Sequence, residues 1–325
     1  MSVSCDFAWQ LDGIQMGGTI LRPDGSGPFP AVVLVAGSGP TDRNWCSPLL
    51  PGNNGSGKLL AQELAKTGIA SIRYDKRASG PYLMENLPQL TGNLSMESHL
   101  DELVSAVEVL SEYDFVDSSR IIGLGNSEGT LHVLHDASRT QRFPFSGLVL
   151  ADPPGRPISA ALLSQLALQA VALPDSELLM DKVKQAVERY SAGAAMNLDP
   201  ELPENVRMLL ASFEVPANLT FARELWNESA CDALRAITIP TLVLIAEKDL
   251  QIDVTADGDP LRQAASGLAH VSFAFPSKAN HVFKEELRTR PELVAAPVSG
   301  YNEESTRLDP QSVEIIGDWL RTVFQ

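Results

Sequence analysis

Cysteine is scarce in this sequence. There are three, Cys5, Cys46 and Cys231, far apart in 325 residues. An odd, scattered set builds no disulfide framework and no CxxC metal pair. They read as idle thiols in a reducing compartment. Positive charge is also short: Lys and Arg number 25 against 41 Asp and Glu, a net charge of −16. Such a chain lacks the basic face that phosphate binding needs, and it lacks a polybasic membrane anchor. Neither a basic segment nor an apolar core follows Met1, so no secretory signal is expected. No apolar run approaches the roughly 18 residues of a membrane span. A cytoplasmic protein with no nucleic-acid or membrane partner is expected.

Hydrophobic residues make up 44% and charged residues 20%, a globular composition. The length allows one large domain or two modest ones and a core that needs no metal or disulfide. Phe7, Trp9 and Leu11 alternate with polar residues, and Thr19-Ile20-Leu21 follows a turn. That pattern predicts an antiparallel pair at a sheet edge. The run Ala31-Val32-Val33-Leu34-Val35 predicts a buried parallel strand. Strands at 70–74, 120–124 and 147–151 then alternate with helices at 57–67 and 95–112 and one starting at 128. From 152 to 236 only helical patterns occur, at 159–172, 176–191, 204–213 and 221–237. Alternation resumes with strands at 241–246 and 271–275 and helices at 261–266 and 310–324. Such alternation implies a mainly parallel sheet flanked by helices. The helical stretch reads as a cap inserted over the strand ends, and 297–310 as an irregular surface loop.

Chemistry enters at Gly125-Asn126-Ser127-Glu128-Gly129. The G-x-S-x-G pattern is short enough to arise by chance. Here it follows an apolar strand and opens a helix, the setting of a nucleophile elbow. A serine needs a base. Of the five histidines, His132 and His135 lie on the helix after the elbow, His99 on another helix and His270 before a strand. None of the four has a special setting. His281 follows the last strand, at the carboxyl edge of the sheet, where a base can reach the elbow. Its acidic partner is expected at Asp249, just past the strand at 241–246, with Asp253 and Glu247 in reserve. The order Ser127, Asp249, His281 matches one of the folds that use this triad. Ala36-Gly37-Ser38-Gly39-Pro40 follows the buried strand. The backbone N–H groups of Ser38 and Glu128 are the expected oxyanion donors.

Together these residues resemble the α/β-hydrolase fold, and more narrowly a bacterial serine esterase family with a G-S-G-P-x-D-R segment, here Gly37 to Arg43. Arg73-Tyr74-Asp75-Lys76-Arg77, Asp249-Leu250-Gln251, Asn280-His281-Val282-Phe283 and Asp318-Trp319-Leu320 also fit. The resemblance covers residues 1–151 and 237–325 as the core domain and leaves 152–236 as the cap. It implies hydrolysis of a small-molecule carboxylic ester through an acyl-enzyme, with no cofactor and no metal. Thioester, lactone or acyl-transfer chemistry would use the same triad, and a non-catalytic small-molecule binder would use the same pocket. A homo-oligomer is compatible with all of these. Two positions depart from the family pattern: Asn126 stands where histidine is frequent, and Ala78 where glycine is. Asp42 and Arg43 are open to two readings, an ion pair propping the oxyanion loop or a surface pair. Gly52 to Lys58 imitates a P-loop but continues into Leu59 rather than a hydroxyl residue, so nucleotide binding is not expected.

Overall fold

Buried strand residues decide the architecture. In the computed structural model, which describes residues 2–170 and 175–325, eight strands form one sheet. They are β1 (Ser2–Leu11), β2 (Ile14–Pro23), β3 (Phe29–Val35), β4 (Ala70–Tyr74), β5 (Val116–Asn126), β6 (Gly147–Ala151), β7 (Thr241–Leu244) and β8 (Val271–Ala274). Their spatial order is β1-β2-β4-β3-β5-β6-β7-β8. The β1–β2 hairpin is antiparallel, as its alternation predicts, and β2 joins β4 antiparallel. Every other pairing is parallel.

Twelve α-helices accompany the strands among the described residues. In the first half are α1 (Ser56–Lys66), α2 (Leu83–Leu90), α3 (Met96–Ser111) and α4 (Glu128–His135). Between β6 and β7 come α5 (Ile158–Ala170), α6 (Ser176–Ser191), α7 (Glu204–Ser212), α8 (Leu219–Trp226) and α9 (Ala230–Ala236). The last are α10 (Gly258–Ala264), α11 (Arg290–Ala295) and α12 (Pro310–Val323). The two faces of the sheet follow from the period-two alternation of strand side chains. Val33, Val35, Leu148, Leu150 and Val243 point to the face covered by Leu103 of α3, Leu131 of α4, Leu234 of α9 and Leu261 of α10. Val32, Leu34, Leu124, Val149 and Leu244 point to the face covered by Leu60 and Leu64 of α1 and Ile316 and Leu320 of α12. The sandwiched parallel sheet with helices on both faces is the α/β-hydrolase architecture.

Some elements differ from expectation. The helix expected at 221–237 is two, because the Ser229 side chain accepts from Asp232 N–H at 3.2 Å and caps a new start. α2 went unread because Pro88 sits inside it, and α11 is a single short turn-and-a-half behind a Pro. The helix expected at 159–172 ends its described part at Ala170; residues 171 and 172 lie outside the described residues. The segment 297–310 is docked rather than a free surface loop. Asn302 is buried and donates to the carbonyls of Ser47 and Leu50. Lys284 donates to Asn54 O at 2.7 Å and Thr306 Oγ1 at 2.8 Å. These bonds fasten that segment to the Gly52–Lys58 turn, which runs into α1 as a simple loop. Among the described residues no helix is long and apolar enough to cross a membrane.

The helices between β6 and β7 build a core of their own. Leu162 and Leu166 of α5 pack with Val183, Tyr190, Leu210 and Trp226. Arg223 lies 3.5 Å from the Tyr190 ring centroid and adds a cation–π contact. Leu209 faces outward, 42% exposed. Leu166→Ala should therefore cost about 2–5 kcal/mol, the usual range for a buried leucine. Leu209→Ala should change stability by less than about 0.5 kcal/mol. Urea denaturation of both variants checks this; equal losses would mean that Leu209 is covered in solution.

Candidate active site

The parallel strands β3, β5, β6, β7 and β8 end in register. Val35 pairs with Gly125, Asn126 with Ala151, Ala151 with Leu244, and Leu244 with Ala274. The pairing continues one residue past the strands: Ser127 N–H donates to Ala151 O and Asp152 N–H to Leu244 O, both at 2.8 Å. Ser127, Asp152, Asp249 and His281 all follow these ends.

Ser127 is the residue between β5 and α4, with φ 52° and ψ −120°. A non-glycine residue there carries strain on the order of 1–3 kcal/mol. The turn is tight enough to require both flanking glycines. A Cβ on Gly125 would lie 2.3 Å from the Gly129 backbone, and one on Gly129 would lie 2.5 Å from Val35 O. Gly37 of the loop after β3 sits against the same turn, its would-be Cβ 3.3 Å from Ser127 Cβ. Ser38 follows it on the exposed side of that loop, and Glu128 opens α4. The two expected amide donors thus come from separate chain segments.

His281 and Asp249 are brought together. Nδ1 of His281 lies 2.6 Å from Asp249 Oδ2, and both residues are buried. The loops that carry them are stitched by backbone bonds: Glu247 N–H donates to Pro276 O and Lys248 N–H to Ala279 O. Asp249 Oδ1 accepts from Gln251 N–H at 2.6 Å. Of the reserves, Asp253 accepts from Thr255 N–H and Ala256 N–H, a local turn, and Glu247 is exposed. Asn126, the departure from the family pattern, donates through Nδ2 to His281 O at 3.1 Å. It ties the histidine loop to the residue before the serine. Its sequence position beside Ser127 was the only signal available.

Asp152 was missed altogether. It follows β6 with φ 53°, and Oδ1 accepts from Ala246 N–H at 2.8 Å. Its Oδ2 is buried with no partner among the described residues. Carboxylate oxygens of Asp152 and Asp249 and a ring nitrogen of His281 lie within 4.8 Å of one another. That trio has the residue types of a metal site. Two ligands of one zinc-like ion, each about 2.1 Å from it, would sit roughly 3.3 Å apart. The 2.6 Å contact between His281 and Asp249 is instead a charge-assisted hydrogen bond. Burial, and next the charge of Asp249, push the Asp152 carboxyl well above the usual aspartate range.

The remaining histidines lie elsewhere. His132 and His99 are buried under the α4 side of the sheet. His132 Nε2 is 3.4 Å from Glu128 Oε1, and His99 Nδ1 is 2.9 Å from Glu102 Oε2. Burial lowers the His132 pKa. His270 Nε2 meets Ile237 O at 2.8 Å, and His135 faces Glu228.

Asp42 and Arg43 do not pair with each other. Asp42 Oδ1 accepts from Asn44 N–H and Cys46 N–H and folds its own loop. Arg43 reaches across to Asp75 at the end of β4, with its backbone N–H and its Nε each 2.7 Å from that carboxylate. A side chain on a turn pairs most easily with a fixed carboxylate outside the turn, and Asp75 is almost fully buried.

A parallel sheet with a strained serine at the end of β5 and a histidine–aspartate pair beyond β7 and β8 defines a hydrolase-like class. The chain belongs to the alpha/beta hydrolase family, whose sequence model matches residues 32–296. It is similar to Esterase EstD of Thermotoga maritima, 28% identical over 266 residues. That match covers 82% of this chain and 57% of the relative, so the chain spans little more than half of that protein's length. Among solved structures, a Pyrococcus furiosus esterase superposes with TM-score 0.56 at 16% identity, over 99% of this chain and 91% of that one. A proline iminopeptidase of Mycobacterium smegmatis superposes with TM-score 0.56 at 14% identity, over 98% of both chains. At such identities the likeness is one of fold.

The upward shift of the Asp152 carboxyl has a signed consequence for stability. An aspartate free of the fold loses its proton near 3.8, and Asp152 keeps it well above that. Above pH 3.8 the folded state therefore holds the extra proton, and stability falls as pH rises, by at most about 1.4 kcal/mol per unit. Asp152→Asn copies the neutral carboxyl and removes that slope. Relative to the parent, the variant should gain stability in urea denaturation as pH rises above about 4, until the folded Asp152 carboxyl itself titrates. A constant difference across that range would mean that Asp152 is ionised in the fold.

Proposed function

We propose that this protein is a serine hydrolase that cleaves the carboxylic ester of a small molecule through an acyl-enzyme. The observation that carries the reading is the buried 2.6 Å contact between His281 Nδ1 and Asp249 Oδ2, fastened through Asn126 to a serine on a strained turn. Nδ1 donates to the carboxylate, which leaves Nε2 as the basic nitrogen. Nε2 takes the Ser127 proton as Oγ attacks the ester carbonyl. Asp249 holds the tautomer and stabilises the imidazolium. The carbonyl oxygen becomes an oxyanion, received by the N–H groups of Ser38 and Glu128. The imidazolium returns its proton to the leaving alcohol. Water, deprotonated by His281, then releases the acid and frees Ser127. The balance is hydrolytic, so no cofactor or metal takes part.

The stretch 152–236 acts as the cap in this reading. It leaves the sheet at the end of β6, on the edge where Ser127 and Asp249 emerge, and ligands of open parallel sheets bind beyond those ends. The esterase names among the relatives support an ester substrate.

Turnover of p-nitrophenyl esters tests the assignment. Ser127→Ala should reduce hydrolysis to background and abolish labelling by a fluorophosphonate, with the fold retained. Asp249→Asn should lower kcat/KM on the order of 10⁴-fold, as in other triads. Asp152→Asn should stay within a few-fold of the parent. The reverse ranking of the two aspartates would move the acid to β6, and an active, folded Ser127→Ala protein would sink the reading.

A further inference from the structure

The mechanism above uses two amide donors on two different chain segments, and one buried side chain touches both segments. Lys76 follows β4 by two residues. Its Nζ donates to Gly37 O at 2.7 Å and lies 3.2 Å from Glu128 Oε1. Both side chains are nearly sealed from solvent, at 5% and 7% exposure.

The chemistry of these partners is specific. Gly37 C=O and Ser38 N–H belong to one planar trans peptide, so they point in opposite directions from a rigid plate. Fixing the carbonyl with an ammonium fixes the direction of the N–H. A cation on the carbonyl also polarises the peptide and strengthens its N–H as a donor. Glu128 supplies the other proposed donor from its own backbone, and its side chain holds the same ammonium. Its carboxylate lies in the first turn of α4, where the helix dipole favours negative charge. Burial alone would raise the Glu128 pKa. Lys76, and then His132, more than offset this and hold it well below the usual range.

Neighbouring residues show what Lys76 is not needed for. Asp75 already anchors the far end of the loop through Arg43. Arg77 already anchors β4 to α3, with Nε on Glu102 Oε1 at 2.5 Å and NH2 on Ser98 O at 2.8 Å. Lys76 is the member of the trio that reaches the loop at the peptide beside the serine. We infer that Lys76 is a positioning residue for the oxyanion hole: through its buried pair with Glu128 it clamps the Gly37–Ser38 peptide against the start of α4 and sets the spacing of the two donors. This rests on the triad reading above and deepens it.

The test compares Lys76→Met with the double variant Lys76→Met/Glu128→Leu. The single variant strands a buried carboxylate and is the one at risk of misfolding. The double variant removes both charges and leaves both backbone donors in place. Removing a donor outright typically costs 10²–10³-fold in kcat; a donor present but released from its clamp should cost less. We expect kcat on p-nitrophenyl acetate to fall roughly 10–100-fold in the double variant, with KM within about 3-fold. Inhibition by phenylboronic acid, which forms a tetrahedral adduct on the serine, should weaken by a factor similar to that in kcat/KM. A folded double variant with kcat within 3-fold of the parent would overturn the inference. So would a fall in kcat with phenylboronic acid inhibition unchanged, because the defect would then lie outside the oxyanion hole. Ser127→Ala separates the two levels. If it is inactive while the Lys76 variants are fully active, the clamp fails and the triad stands. If it is active, the triad reading fails.

Discussion

The whole site depends on the hydrogen-bond register of β3, β5, β6 and β7. A parallel ladder fixes where each strand stops relative to its neighbour, and here four strands stop on one line. Each chain then leaves the sheet within a residue or two of that line. Ser127 and Asp152 even keep their amides in the ladder, bonded to Ala151 O and Leu244 O. The sheet is packed on both faces by fully buried aliphatic residues, so the line cannot slide without moving every strand side chain to the wrong depth. Rigid strand ends can then hold strained residues, because the ladder and the two cores over-determine the backbone at φ 52° and 53°.

What the register cannot fix is the approach of loops between strands. Those contacts are electrostatic. The run Asp75-Lys76-Arg77 leaves β4 and makes three separate buried attachments, to Arg43, to Gly37 and Glu128, and to Glu102. Buried ion pairs cost desolvation and are poor sources of stability. They are directional, however, and their partners here are fixed groups: the Arg43 guanidinium, the Gly37 carbonyl and carboxylates held on α3 and α4. Apolar side chains of similar volume would fill the space and leave the Gly37–Ser38 peptide free to rotate. That trade explains why polar residues occupy positions at 3–5% exposure in an otherwise aliphatic layer.

Much of this was legible in the sequence. The strands read directly, since a run such as Ala31 to Val35 can only be buried on both faces. The helix at 176–191 fell where it was expected. The placement of Ser127, Asp249 and His281 after strands was legible, and the structure brings the last two into contact. Asp152 was not legible. Read alone, an aspartate after a strand resembles any turn residue, and only the meeting of β6 with β7 puts it beside Asp249 and makes its charge costly. Asn126 and Lys76 were quoted within motifs, but their partners, His281 O and Gly37 O, are backbone atoms 155 and 39 residues away. Nothing in side-chain identity encodes a bond to a distant carbonyl. The break at Asn227 to Ser229 was hidden for a different reason: the apolar spacing runs through it, and the cap that ends it is a single serine.

The helices between β6 and β7 carry the same division of labour further. Their first three helices bury leucines against Tyr190 and Trp226, away from the sheet core. Contact with α3 and the sheet core is concentrated in α8 and α9. Phe221 sets its edge on the His99 ring, 4.5 Å between centroids, and Glu224 accepts from Met96 N–H at the start of α3. Leu234 of α9 belongs to the sheet core itself. A unit with its own core, joined through two helices, can change its inner surface without disturbing the strand ends. In the proposed enzyme, the register line and its charged clamps would then set what bond is broken. The first three helices would be free to set which ester reaches it.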